Sequence, residues 1–337
     1  MALIDTLESA WYANGRAPWW AAPLSMFYGA LIRLRGKLYA AGALGSVALP
    51  VPVIVIGNLS VGGTGKTPLT IAVVEALRDR GYKPGVVSRG YGGSQREPML
   101  LGGAPDPAQV GDEPCLIAVT GVPVAIGRDR PAAARLLIEA GCNVIVADDG
   151  LQHYRLARDV EICVIDGVRR FGNGRLLPAG PLREPMRRLQ RVDLRVCNGG
   201  VPADGEYLMQ LHGGDVVSLT DEAQRPLAEF AGERVHAVAA IGNPRRFFDS
   251  LRYAGIEVIE HAFADHHPFV PADLQFMDEL PVLMTDKDAV KCRSFAKPGW
   301  WRVPVRAHLP EAFHMALIER MSSIVAGRDD RSRKASN

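Results

Sequence analysis

At 337 residues, 47% apolar and 23% charged, the chain is long enough for two domains around a well-buried core. Its 39 basic residues against 37 acidic ones leave a formal net charge of +2, so no global electrostatic case exists for a nucleic-acid partner. Five cysteines (Cys115, Cys142, Cys163, Cys197 and Cys292) are widely spaced, odd in number and free of any C-x-x-C pair; they read as buried free thiols and support neither a disulfide framework nor a zinc site.

The first residues carry Asp5 and Glu8 rather than a basic stretch running into an apolar core, so no cleavable signal peptide is read. The uncharged stretch from Ala17 to Ile32 is broken by Pro18 and Pro23 and falls short of the ~20 apolar residues a spanning helix needs. From Leu24 to Tyr39 the spacing of Leu24, Phe27, Leu31, Leu34 and Leu38 predicts a helix with an apolar stripe. Arg33 and Lys37 fall opposite, and Arg35 snorkels from the apolar side. With Trp11, Tyr12, Trp19, Trp20, Tyr28 and Tyr39 crowding the region, residues 1–45 read as an amphipathic segment suited to an anionic bilayer surface. A helix packed on the protein's own core is the competing reading.

Residues 46–200 alternate short apolar runs with helical stretches. Strands are expected at Val51–Gly57, Pro84–Ser88, Val122–Gly127, Asn143–Ala147 and Val160–Asp166, with helices at Thr67–Arg80 and Arg130–Ala140. That alternation predicts an α/β fold, a doubly wound and mainly parallel sheet of the P-loop NTPase kind. Residues 201–300 read as a second, smaller α/β domain, with strand candidates from YLMQL (207–211) to PVLMTD (281–286) and helices at Pro244–Ala254 and Pro271–Leu280. Residues 301–326 are expected to return to the first domain, and 327–337 to form a disordered polar tail.

The chemistry begins with SVGGTGKT, Ser60–Thr67. The strict phosphate-loop pattern has a glycine where Ser60 stands, but the expected strand before it and helix after it are the context that gives the motif meaning. Gly62, Gly63 and Gly65 let successive backbone N–H groups, with that of Thr64, turn inward around phosphate oxygens, and the helix N-terminus adds partial positive charge. Lys66 would neutralise the β- and γ-phosphates, and the Thr67 hydroxyl would coordinate Mg²⁺. The strand NVIVA ends in Asp148 and Asp149, the form of a Walker B element that lends a carboxylate to the Mg²⁺ shell. VGDEP places Asp112 and Glu113 in a loop near the expected phosphates, where a kinase needs a carboxylate to take the acceptor's proton. A solvated turn would look the same. Arg128, Arg130, Arg183, Arg187, Arg188 and Arg191 suit phosphate oxygens or a solvated face. In FADHHPF, adjacent His266 and His267 point to opposite sides of an extended segment, so one of them can serve a carboxylate as proton partner.

Taken together, PVIVIGNLSVGGTGKTP, VVSRGYGG, VGDEP, VIVADDGLQH, LLPAGPLREP, IGNPRRFF, FADHHPF and TDKDAVK, spread over Pro52 to Lys291, resemble the tetraacyldisaccharide 4′-kinase (lipid A 4′-kinase) family. In that family the phosphate loop also lacks its first glycine. The resemblance implies ATP- and Mg²⁺-dependent phosphorylation of the 4′-hydroxyl of a tetraacylated glucosamine disaccharide 1-phosphate. It implies a peripheral enzyme on the cytoplasmic face of the inner membrane, with two α/β domains and a cleft between them. It also implies that Lys66 and Thr67 bind phosphate and Mg²⁺, that Asp148 joins the metal shell and that Asp112 is the base acting with His266. Arg130 and Arg183 become phosphate ligands, and Tyr91, Asp149, Gln152 and His153 line the same site. A membrane-associated ATPase or GTPase switch of the partitioning type is the alternative, but its trans-acting lysine is replaced by Val61, and TDKD does not spell the guanine-reading N-K-x-D. A soluble carboxylate ligase on the same scaffold is weakened by the amphipathic N-terminus.

Overall fold

The computed structural model describes residues 2–13, 17–103 and 105–335. Two helices open the chain, α1 (Ala2–Tyr12) and α2 (Ala21–Ala40). The inner face of α2 is held by Ser25 Oγ donating to Leu176 O at 2.8 Å and Tyr28 Oη to Arg183 O at 3.0 Å. Gly29 meets Leu176 so closely that a Cβ would sit 3.0 Å from its Cδ1. The stripe read from the sequence faces the other way: Leu24, Phe27, Leu31 and Leu34 are 50%, 64%, 48% and 55% exposed. The helix therefore packs on the protein through its small and polar residues and presents its large apolar ones outward.

The core domain carries β1 (Val53–Gly57), α3 (Lys66–Asp79), β2 (Pro84–Ser88), β3 (Met99–Leu100), α4 (Pro107–Val110), α5 (Asp112–Ala118), β4 (Val124–Ile126), α6 (Arg130–Glu139), β5 (Val144–Ala147), β6 (Val160–Asp166), β7 (Leu194–Asn198) and β8 (Glu206–Gly213). The smaller domain holds β9 (Val216–Ser218), β10 (Gln224–Arg225), β11 (Arg234–Ala239), α7 (Pro244–Tyr253), β12 (Glu257–Ala262), β13 (Val282–Thr285), α8 (Asp286–Cys292) and β14 (Trp300–Val303). The chain then returns through β15 (Val305–His308) and α9 (Glu311–Ala335). The large sheet has nine strands in the order β15-β8-β7-β6-β1-β5-β2-β4-β3, parallel throughout except at its two edges. Side chains alternate across β1. Ile54 and Ile56 pack with Leu69, Val73 and Leu77 of α3 and with Phe313 and Leu317 of α9, whereas Val53 and Val55 pack with Ala133 and Leu137 of α6. Covering both faces is what makes the strands continuous apolar runs. The adjacent strands β1 and β5 end at the same edge of the sheet, so the loop from Ser60 and the Asp148–Asp149 pair emerge side by side.

The smaller sheet runs β10-β9-β14-β13-β11-β12. Its limits differ from the sequence expectation of 201–300. YLMQL lies in β8, paired parallel to β7 of the large sheet, and WWRV pairs with β13 and β9 of the small one. The crossings therefore fall between Gly213 and Val216 and at Pro304. An apolar run announces a strand but not the sheet it joins. The expected helix Pro271–Leu280 is a single 3-10 turn, Pro271–Leu274, because Phe276 stacks on His236 with ring centroids 3.8 Å apart and Asp278 accepts from His236 Nε2 at 2.8 Å. The tail read as disordered from Gly327 continues α9 to Ala335, with Arg328 forked onto Asp159 and donating to Leu49 O. All five cysteines are buried and free.

Candidate active site

The loop after β1 is held in shape by its neighbours. Val61 N donates to Pro181 O at 2.9 Å, Asn58 Nδ2 donates to Thr64 Oγ1 at 2.9 Å, and Asn198 Nδ2 donates to Thr64 O at 2.9 Å. Gly62 and Gly65 adopt φ of 98° and 92°, a region that L side chains avoid. At Gly65 the requirement is doubled, since a Cβ would lie 2.3 Å from Asn198 Nδ2. Ser60 costs this design nothing: it is buried and bridges Leu182 outside the turn. Lys66 and Thr67 then open α3, so the charge and the hydroxyl sit at the helix N-terminus.

Asp148 and Asp149 leave β5 in opposite electrostatic settings. Asp149, at φ 47°, is gripped by Arg183 through Nη2 and Nη1 at 2.9 and 3.1 Å and lies 3.7 Å from Lys66 Nζ. Burial alone would raise its pKa, but Lys66 and Arg183 hold the carboxyl well below its usual range. Arg183 also donates to Asn58 Oδ1. Asp148 is fully buried, accepts from Thr70 Oγ1 at 3.0 Å through one oxygen, and leaves the other, Oδ2, without a partner. Burial and the nearby Glu113 carboxylate push its pKa up to about 7. Arg130 is placed differently from an open ligand: it is 3% exposed, with Asp149 and Asp148 as its nearest countercharges and Nη1 unpartnered. Gln152 Nε2 donates to Asn58 O, and burial together with Arg130 lowers the His153 imidazole to about 4.

Asp112 and Glu113, expected in a loop, form the first turn of α5. Asp112 is 4% exposed and faces His266, whose Nδ1 lies 3.1 Å from both carboxylate oxygens. His267 turns away to Asp273 at 2.9 Å, which settles which histidine meets Asp112. The hydrogen bond to Asp112 raises the His266 pKa. The Asp112 carboxyl, which burial would raise, is held below its usual range by that bond and by Lys287 and Lys291. Tyr91 closes edge-on over His266 with ring centroids 5.0 Å apart. Since Asp112 lies on the large-sheet side and His266 follows β12 of the smaller sheet, the pair bridges the two bodies. The same edge of the smaller domain reaches the phosphate loop, where a Cβ on Gly242 would lie 2.7 Å from Gly63 N and 3.4 Å from Asp265 Oδ2.

A family model described as tetraacyldisaccharide-1-P 4′-kinase matches residues 17–322. The tetraacyldisaccharide 4′-kinase of Stenotrophomonas maltophilia is 53% identical over 93% of this chain and 96% of its own, and that of Xanthomonas axonopodis pv. citri is 51% identical over 94% and 96%. The crystal structure of LpxK from Aquifex aeolicus in complex with ATP superposes with a TM-score of 0.75 at 29% identity, covering 89% of this chain and 98% of that one. This chain belongs to the tetraacyldisaccharide 4′-kinase family.

Within that 4′-kinase frame, the structure adds residues the sequence reading did not single out. Lys287 and Lys291, on one face of α8, reach Asp112 at 3.9 and 3.8 Å. Asn198 and Arg169 brace the phosphate loop from β7 and from the segment after β6, Arg169 donating to Gly63 O at 3.1 Å. Lys287 and Lys291 lay inside the quoted TDKDAVK. Asn198 ends a strand whose Arg195 interrupts the apolar pattern, and no local signal marks it. Among the described residues no cluster of three or more His, Cys, Asp or Glu side chains could hold a metal, and no helix is long and apolar enough to cross a membrane.

Proposed function

We propose that this 4′-kinase family member transfers the γ-phosphoryl group of ATP to the 4′-hydroxyl of tetraacyldisaccharide 1-phosphate, giving lipid IVA in lipid A biosynthesis. The observation that carries the reading is the buried Asp112 carboxylate, paired with His266 of the smaller domain and followed by Glu113, whose charge is felt by Asp148 at the end of β5. Asp112 accepts the proton of the sugar hydroxyl as its oxygen bonds to the γ-phosphorus and the bond to ADP breaks. His266 orients that carboxylate through the hydrogen bond at Nδ1. Lys66 and the backbone N–H groups of Gly62, Gly63, Thr64 and Gly65 neutralise the phosphates. Arg183 holds Asp149 so that Lys66 stays aimed, and Arg130 balances the two carboxylates from inside.

The unpartnered Oδ2 of Asp148, with a carboxyl pushed up to about 7 by burial and by Glu113, fits a divalent cation. Thr67 and Asp148 are the residues that would hold Mg²⁺, the small ligand set expected when phosphate oxygens and water complete the shell. When bound, the ion supplies Lewis-acid neutralisation of charge on the phosphate oxygens.

The acyl chains favour a peripheral enzyme at the cytoplasmic face of the inner membrane, because extracting them would cost ~0.8 kcal/mol per CH₂. The outward stripe of α2 supports that placement. Purified protein incubated with radiolabelled ATP, Mg²⁺ and the acylated disaccharide 1-phosphate in detergent micelles should yield labelled lipid. Nucleotide hydrolysis with no labelled lipid would instead favour the switch ATPase.

A further inference from the structure

Lys287 sits where four functional side chains meet. Its Nζ lies 3.2 Å from His266 Nε2, 3.4 Å from Asp265 Oδ1, 3.5 Å from Glu113 Oε1 and 3.9 Å from Asp112 Oδ2. An ammonium has three donors and no acceptor, so its contact with Nε2 requires that nitrogen to accept. The imidazole proton then resides on Nδ1, where it is donated to Asp112. We propose that Lys287 is a positioning residue for phosphoryl transfer: it locks His266 in the Nδ1–H tautomer and leaves Asp112, not His266, to take the sugar's proton.

The surroundings keep that lock in place. Burial alone would lower the lysine's pKa, but Glu113, Asp112 and Asp265 raise it above the ordinary value, so the head group remains an ammonium. The groups facing His266 come from every neighbouring element: Asp112 from α5, Lys287 from α8, Asp265 beside it and Tyr91 from the loop after β2, while Glu113 of α5 faces Lys287 itself. Lys291 is already committed to Asp288 at 2.8 Å and to His267 O, so it cannot replace Lys287. The lysine's charge disfavours both the imidazolium and the protonated carboxyl, the two states in which Asp112 is a weak base.

The inference rests on Asp112 as proton acceptor, and the test separates the two. Asp112→Asn should abolish lipid phosphorylation while ATP still binds; retained turnover would overturn the role of Asp112 itself. With Asp112 upheld, Lys287→Met should lower kcat about tenfold or more. The acid limb of its pH profile should move to higher pH, since both protonated states lose an opposing positive charge. Lys287→Arg should keep the limb in place. An unmoved limb in Lys287→Met would overturn the inference even if the rate falls, because lost packing alone does not shift a titration. ¹⁵N spectra of the imidazole-labelled wild-type protein give a second readout that needs no variant to fold. With the His266 resonance assigned and the pH on the alkaline plateau of its titration, the inference requires an unprotonated Nε2, and a proton found there would end it.

Discussion

Asp148 and Asp149 are neighbours in the chain with opposite electrostatic fates, and the difference is measurable. Asp149 spends its charge on Arg183 and Lys66; Asp148 has one hydroxyl partner and an orphan oxygen. A carboxyl whose folded pKa is raised to about 7 binds its proton more tightly in the folded than in the unfolded chain. Its linkage therefore erodes stability as pH rises from the unfolded value toward 7, and the loss is complete above that. In metal-free buffer with EDTA, Asp148→Asn should melt higher than wild type at pH 8, and the gap should close toward pH 5. Parallel melting curves across that range would refute the raised pKa. The same substitution should abolish the stabilisation given by Mg²⁺ with ATP. Gly65 makes a second prediction at this scale. With φ at 92° and Asn198 Nδ2 only 2.3 Å from any added Cβ, Gly65→Ala should destabilise the fold by about 1–3 kcal/mol and abolish ATP binding, read by melting and calorimetry. Unchanged ATP affinity would show that the loop tolerates another path.

Among the elements, α2 decides between surface and core for the N-terminal region. The periodicity of Leu24, Phe27 and Leu31 identified the helix and its stripe, but the same pattern serves a core-facing helix. Only the partners of Ser25, Tyr28 and Gly29 reveal that the stripe points away from the protein. Replacing Leu24, Phe27 and Leu31 together by Gln should leave melting nearly unchanged, because no core contact is lost. Each side chain is worth roughly 1.5–3 kcal/mol on full burial, so even partial insertion predicts at least a tenfold loss of binding to anionic vesicles, read by co-sedimentation. Equal binding would assign the lipid contact elsewhere. Other elements show where sequence reasoning is strong and where it stops. The buried strands β1, β2, β5 and β6 were legible because parallel strands covered on both faces become apolar runs. The β7 strand was not, because Arg195 breaks its run. The assignment of Tyr207–Leu211 to the large sheet depends on hydrogen bonds between distant segments, which periodicity does not encode. The site divides in the same way. Lys66, Thr67 and the paired aspartates lie in contiguous motifs, whereas the meeting of Asp112 with His266 and Lys287 is made by the packing of two domains.

Taken as a whole, the molecule is two α/β bodies that the chain links at Gly213–Val216 and Pro304, with its chemistry divided between them. The glycine-rich loop and Asp112, the proposed base, belong to the large domain; His266 and Lys287 belong to the small one. On the proposed reading turnover depends on how closely the small domain seats against the loop, and Gly242 is a point of close backbone approach. A Cβ there would lie 2.7 Å from Gly63 N, inside any tolerable contact with backbone. On the same reading the large domain alone supplies the ATP loop, and the added Cβ is relieved most easily by a shift of the small domain, which the chain joins through two short links. Gly242→Ala should therefore raise the Kd for ATP only a few-fold. Its kcat should fall about a hundredfold, the usual cost of an ångström of misplacement between reacting groups. Gly214→Ala, in the link and with nothing within 4 Å of the added atom, is the control and should behave as wild type. If Gly242→Ala instead keeps its kcat, the seated arrangement is not the one in which phosphoryl transfer occurs, and His266 must reach Asp112 with the cleft more open. Loss of ATP affinity equal to the loss of kcat would show that the small domain completes the nucleotide site itself.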